Sequence, residues 1–135
     1  MKVDDQIEVK KIVKKSGSSF FWGMNVLDSE RKRAMFSIYA FCRIVDDIAD
    51  EIKNKRLKIE KLKSWKKKIN NIFKSKELKS SIENELKFAV KKFQLERLDF
   101  YAIIDGMMMD AKSDIKFPTK KNLELYCDLS LIHIS

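Results

Sequence analysis

Between Met35 and Ile52 almost every face of a helix drawn through the chain is apolar, yet one line of polar groups runs along it. At about 100° per residue, Tyr39, Arg43, Asp46 and Asp50 fall within roughly 60° of one another. Met35, Phe36, Ala40, Cys42 and Ala49 flank that line, and Ile44, Ile48 and Ile52 occupy the far side. Asp47 points to one side of the line, near Ala40, and Glu51 lies far round the helix. An ordinary surface helix has one apolar face and one polar face. A helix apolar nearly all round is buried, so its polar line must face a wet cavity or an ion.

Asp46 and Asp50, one turn apart, present two carboxylates in one direction. Like charges at that spacing destabilise a helix. Two arrangements relieve the repulsion. A divalent cation such as Mg²⁺ takes one or two carboxylates and completes its shell with water and phosphate oxygens. In that arrangement Arg43 and Tyr39 are placed to contact a phosphate. Alternatively, Arg43 forms an intrahelical ladder of ion pairs with Asp46 and Asp50.

The surroundings of this helix are also helical. In 135 residues there are three Gly and one Pro, fewer turn residues than a β-rich fold requires. The periodicity predicts a short helix over about residues 6–15, interrupted by the Ser16–Ser19 turn. The central helix follows, capped by Asp28 or Ser29 and running to about Ile52, with a break at Lys53–Lys55. Leu62, Trp65, Ile69 and Ile72 mark a third helix, and Ile82, Leu86, Ala89 and Phe93 a fourth. Phe100, Ile103 and Met107 mark a fifth, from Glu96 to about Ser113, with Met107–Met109 read as packing residues and Asp110 pointing inward. Pro118 stops it, and Thr119 caps a last helix carrying Leu123 and Tyr126.

The charge is uneven. From Lys53 to Lys79 there are twelve basic and two acidic residues, a local balance of +10 in a chain whose net charge is +9. The basic character is therefore a patch, either a solvated helix face or an attractor of anionic lipid or nucleic acid. No apolar run reaches the ~20 residues of a membrane span. The N-terminal stretch lacks the apolar core of a signal peptide, which favours a cytoplasmic protein with membrane contact at most. Cys42 and Cys127 lack metal-ligand spacing, and neither a Gly-rich phosphate loop nor a Walker-type Lys is found.

The stretch "SGSSFFWGMNVLDSERKRAMFSIYAFCRIVDDIADE" (Ser16 to Glu51) resembles the first signature of the squalene/phytoene synthase family. "IDGMMMD" (Ile104 to Asp110) and "LELYC" (Leu123 to Cys127) resemble two further blocks in the same order, nearest to the bacterial phytoene synthase and presqualene diphosphate synthase branches. The resemblance implies an all-α isoprenoid synthase fold and a transferase that condenses two prenyl diphosphates, farnesyl or geranylgeranyl, head to head in isoprenoid biosynthesis. It implies that Asp46 and Asp50 bind Mg²⁺, with Mn²⁺ as a substitute and Asp47 as a further ligand. It assigns Tyr39, Arg43 and Tyr126 to the diphosphate and Ser19 and Phe20 to the substrate site, where the inward-pointing Asp110 is a further candidate by its place on the helical stripe.

The chain departs from that pattern towards its end. Family members are about twice as long and carry a second aspartate-rich motif that this sequence lacks. "LSLIHIS" reads like translated sequencing adapter. The expectation is therefore a helical domain over residues 1–128, truncated to its N-terminal helices, a non-native tail at 129–135, and a chain inactive alone. Competing expectations are a non-catalytic assembly protein of the same fold and a small basic module binding anionic membrane or nucleic acid. The module leaves the acidic line unexplained, so nucleic acid is not an expected partner.

Overall fold

The computed structural model of the chain describes residues 3–15, 27–74 and 77–112, in which five helices and no strands occur. They are α1 (Val3–Lys15), α2 (Ser29–Glu51), α3 (Lys55–Phe73), α4 (Ser81–Phe93) and α5 (Arg97–Lys112).

Helix α2 is the axis of the assembly and packs against all four others. Every residue from Ala34 to Cys42 is buried, as the all-round apolar pattern requires. Ser37, within this run, satisfies its hydroxyl by donating to the Ala34 carbonyl at 2.7 Å. The helix starts where Asp28 caps it: the Asp28 carboxylate accepts from the Arg31 backbone N–H at 2.8 Å and pairs with the Arg31 guanidinium. Glu30 follows in the first turn, where the helix dipole favours an anion.

Asn54 ends the break after α2 and caps α3, accepting from the Leu57 N–H at 3.0 Å. The expected stripe of Leu62, Trp65, Ile69 and Ile72 is buried. Phe41 at the centre of α2 meets Trp65 edge-on at 5.6 Å between centroids and Phe100 of α5 at 5.4 Å. Phe73 meets Phe100 at 6.1 Å, so the aromatic cluster joins three helices. Helix α4 is capped by Ser80, which accepts from the Glu83 N–H and donates to the Glu83 carboxylate at 2.9 Å, a variant of the capping box. It ends at Gln94, whose φ of 52° closes the helix in the left-handed region usually held by glycine.

The structure corrects three details. Helix α1 begins at Val3, before the expected Gln6, with Asp4 and Asp5 favourably placed in its first turn. In α5 the core line is Phe100, Ile104 and Met107, while Ile103 is only half-buried. Spacings of four-three and three-four both follow one helix face, and packing against α3 selects the first. Met109 is not a packing residue: it is 71% exposed, as is Leu98, eleven residues earlier on the same face.

One long-range tie had no signal in the sequence. Arg33 of α2 donates from Nε to Glu85 Oε1 of α4 and from its terminal nitrogen to Glu85 Oε2, both at 2.8 Å. The guanidinium also lies 3.9 Å over the Phe88 ring. The bond to Glu85 raises the Arg33 pKa further above its ordinary value.

Candidate functional site

The polar line of α2 runs from the core outwards. Tyr39 is 2% exposed and Asp46 1%, whereas Arg43 and Asp47 are partly buried and Asp50 lies at the surface. The line thus starts among apolar neighbours and opens at the C-terminal end of α2. That gradient follows from the sequence: Tyr39 falls in the buried run, and Asp50 sits two residues before the helix is capped at Ile52.

Arg43 reaches Asp46, as in the expected ladder, and also Asp47, which lay outside it. Its Nη1 lies 3.7 Å from Asp46 Oδ2, and its Nε lies 3.4 Å from Asp47 Oδ1. Asp47, which the helical projection sets to one side, therefore shares the guanidinium with Asp46. Both spacings, three and four residues, lie within one turn, and the length of the arginine side chain lets it span them. Arg43 keeps 28% exposure, so the guanidinium is shared between the carboxylates and solvent.

An open cleft of about 250 Å³ adjoins this end of the helix. Asp47 and Glu51, with Ile48 and Ile52 beside them, form its α2 wall; Lys61, Ser64, Trp65 and Lys68 form the α3 wall. The cleft touches none of Tyr39, Arg43, Asp46 and Asp50: it lies beside the polar line, on the side of Ile48 and Ile52, and meets only Asp47 of the expected metal ligands. Lys61 and Lys68, which face the acids across the cleft, were visible in the sequence only as members of the basic run. Lys68 sits 4.5 Å over the Trp65 ring, which holds its charge at the cleft wall.

Carboxylate oxygens on one helix face are hard donors of the type Mg²⁺ takes, and a cation bound by one or two of them needs no larger protein cage. Among the described residues no group of three or more His, Cys, Asp or Glu side chains comes together to hold a metal. The described carboxylates therefore do not form a closed structural metal site.

Ser19, Phe20 and Tyr126 lie outside the described residues. Asp110 belongs to the last turns of α5, and its side chain lies outside the described set.

Comparison with known proteins adds to this geometry. The squalene/phytoene synthase family profile matches residues 13–131. A presqualene diphosphate synthase from Rhodopseudomonas palustris is 38% identical over 112 residues, covering 83% of this chain and 39% of the relative. One from Zymomonas mobilis is 42% identical over 112 residues, covering 82% of this chain and 38% of the relative. A chloroplastic phytoene synthase from Daucus carota is more distant, at 29% identity over 109 residues, covering 81% of this chain and 27% of the relative. The chain thus spans about two-fifths of the length of the presqualene diphosphate synthases it matches. No solved structure matches it. With its helices, its acidic line and a family match over most of its length, the chain belongs to the squalene/phytoene synthase family and has that family's all-α isoprenoid synthase architecture.

Proposed function

We propose that the chain forms part of a prenyltransferase that joins two prenyl diphosphates head to head, with farnesyl or geranylgeranyl diphosphate as substrate. In the step envisaged, the C1–O bond of one allylic diphosphate breaks and diphosphate leaves with the electron pair. The double bond of the second substrate attacks the resulting cation, and loss of a proton closes a cyclopropylcarbinyl diphosphate. The higher identity to presqualene diphosphate synthases than to phytoene synthases favours a presqualene-type product.

The observation that carries the reading is the polar line of α2, buried at Tyr39 and Asp46 and open at Asp50. Asp46 and Asp50, with Asp47 beside them, would hold Mg²⁺ or Mn²⁺, which when bound supplies positive charge to a departing diphosphate. Arg43 would donate charge-assisted hydrogen bonds to the same diphosphate, exchanging part of its contact with Asp46 and Asp47 for it. Tyr39, held rigid by the core, would orient a phosphate oxygen through its hydroxyl. The apolar neighbours of the line would keep water from an allylic cation.

The chain spans two-fifths of its relatives' length, so the proposal includes that these 135 residues alone do not turn over substrate. Peripheral membrane contact belongs to the same reading. Among the described residues no helix is long and apolar enough to cross a membrane, so contact would be made at the surface. Incubating the full gene product with radiolabelled farnesyl diphosphate and Mg²⁺ tests the reaction class. A cyclopropylcarbinyl diphosphate or its hydrocarbon descendant supports it, and intact substrate after exhaustive incubation refutes it.

A further inference from the structure

Two sets of basic residues along helix α3 differ in their surroundings. Lys66 and Lys68 lie on its flanks and are engaged: Lys66 pairs with Asp105 of α5 at 2.5 Å, and Lys68 sits over Trp65. The second group faces away from the core. At about 100° per residue, Arg56, Lys63, Lys67 and Lys74 fall within roughly 40° of one another. All four are exposed. The stripe they form is about 27 Å long at 1.5 Å per residue. Arg56 pairs loosely with Glu60 at 3.7 Å, and both side chains are largely in solvent. Among the described residues Lys63, Lys67 and Lys74 enter no ion pair.

Such a line carries a cost in isolation, because Lys63 and Lys67 repel one another one turn apart. An extended anionic plane relieves that repulsion along the whole stripe at once. We infer that the outward face of α3 docks on the anionic headgroups of a lipid bilayer.

The shape and chemistry of the face favour a bilayer over a nucleic acid. The stripe is straight and lies on a convex helix, so it matches a plane and provides no groove to track a phosphate backbone. Among the described residues it offers no exposed aromatic ring for base stacking, since Trp65 is turned into the core. Clusters of four to eight Lys or Arg on a helix are the usual signature of attraction to anionic lipid. The apolar face of α3 is committed to Leu62, Trp65, Ile69 and Ile72 in the core, so the helix cannot roll over and insert. Docking would therefore be electrostatic and at the surface. It rests on the proposed function in that it names the surface for the peripheral membrane contact included there, while the condensation chemistry does not depend on it. Vesicle binding is measured without substrate, so either idea can fail alone.

The test is co-sedimentation of the full gene product with phosphatidylcholine vesicles, with and without phosphatidylglycerol. The docking surface predicts binding only to the anionic vesicles, and its loss at roughly 1 M salt, where the screening length is about 3 Å. Each Lys or Arg near the surface is worth about a fivefold gain in partition, so Arg56→Gln, Lys63→Gln, Lys67→Gln and Lys74→Gln together should weaken it by at least about tenfold. A control carrying Lys10→Gln, Lys14→Gln, Lys87→Gln and Lys91→Gln removes the same charge elsewhere and should weaken it no more than about threefold. Circular dichroism of both variants should match the parent, as all eight side chains lie outside the core. Equal losses in the two variants, absence of binding to anionic vesicles, or displacement of the protein from vesicles by nucleic acid would each overturn the proposal.

Discussion

Arg33 and Glu85, fifty-two positions apart, meet through two parallel hydrogen bonds of 2.8 Å that fasten α2 to α4. Glu85 is 1% exposed, so its charge depends on this partner. Breaking one side of a buried pair costs far more than the pair is worth, since the remaining charge stays desolvated. Arg33→Ala should therefore destabilise the fold by about 3–5 kcal/mol. Replacing both residues by Met and Leu should recover most of that loss. Urea titrations of the single and double variants, followed by circular dichroism, measure the difference.

Phe41 is the meeting point of α2, α3 and α5, fully buried between Trp65 and Phe100. Phe41→Ala should cost about 3–5 kcal/mol, from lost transfer energy and the cavity left behind. Leu57→Ala, at a residue 44% exposed, should change stability by about 0.5 kcal/mol or less. Equal effects at the two sites would show that the aromatic cluster is not the centre of the core.

Asp28 sets the start of α2, and the hydrogen bond from the Arg31 backbone N–H holds its carboxyl below the ordinary value of 3.8. A group whose pKa is lowered by folding contributes stability above its unfolded value, and that contribution is lost as pH falls through the folded value. Acid unfolding of the parent should include this loss. Asp28→Asn keeps a capping oxygen without a titrating charge, so the gap in stability between parent and variant should narrow as the pH falls below 3.8. Thermal melts at a series of acidic pH values check the sign.

Much of this fold is legible in the sequence because α2 leaves few choices. A helix apolar all round must be central, and side-chain chemistry alone narrows its cap to Asp28 or Ser29 and its break to Lys53–Lys55, of which the structure takes Asp28 and a restart at Lys55. The stripes of α3 and α4 are equally plain, because charged residues fill the remaining faces. Helix α5 was less legible: Ile103 and Ile104 are both apolar, and only packing decides which is buried. At the site, the helical projection placed Tyr39, Arg43, Asp46 and Asp50 on one line, but a projection fixes directions of Cβ atoms and not side-chain reach. That is why the contact of Arg43 with Asp47 was missed. The Arg33–Glu85 tie was invisible for a different reason, since no periodicity links residues on two separate helices.

The central claim is that Asp46 and Asp50 serve a metal–diphosphate complex. It is tested most directly by isothermal titration of the full gene product with a non-reactive thio analogue of farnesyl diphosphate, in Mg²⁺ and in EDTA. The claim predicts binding in Mg²⁺ and little in EDTA. Asp46→Asn and Asp50→Asn should each weaken the Mg²⁺-dependent binding by about tenfold or more, as loss of a carboxylate from a charge-assisted site costs about 1.5–3 kcal/mol. Binding that is equally tight in EDTA, or unchanged in both variants, would contradict it.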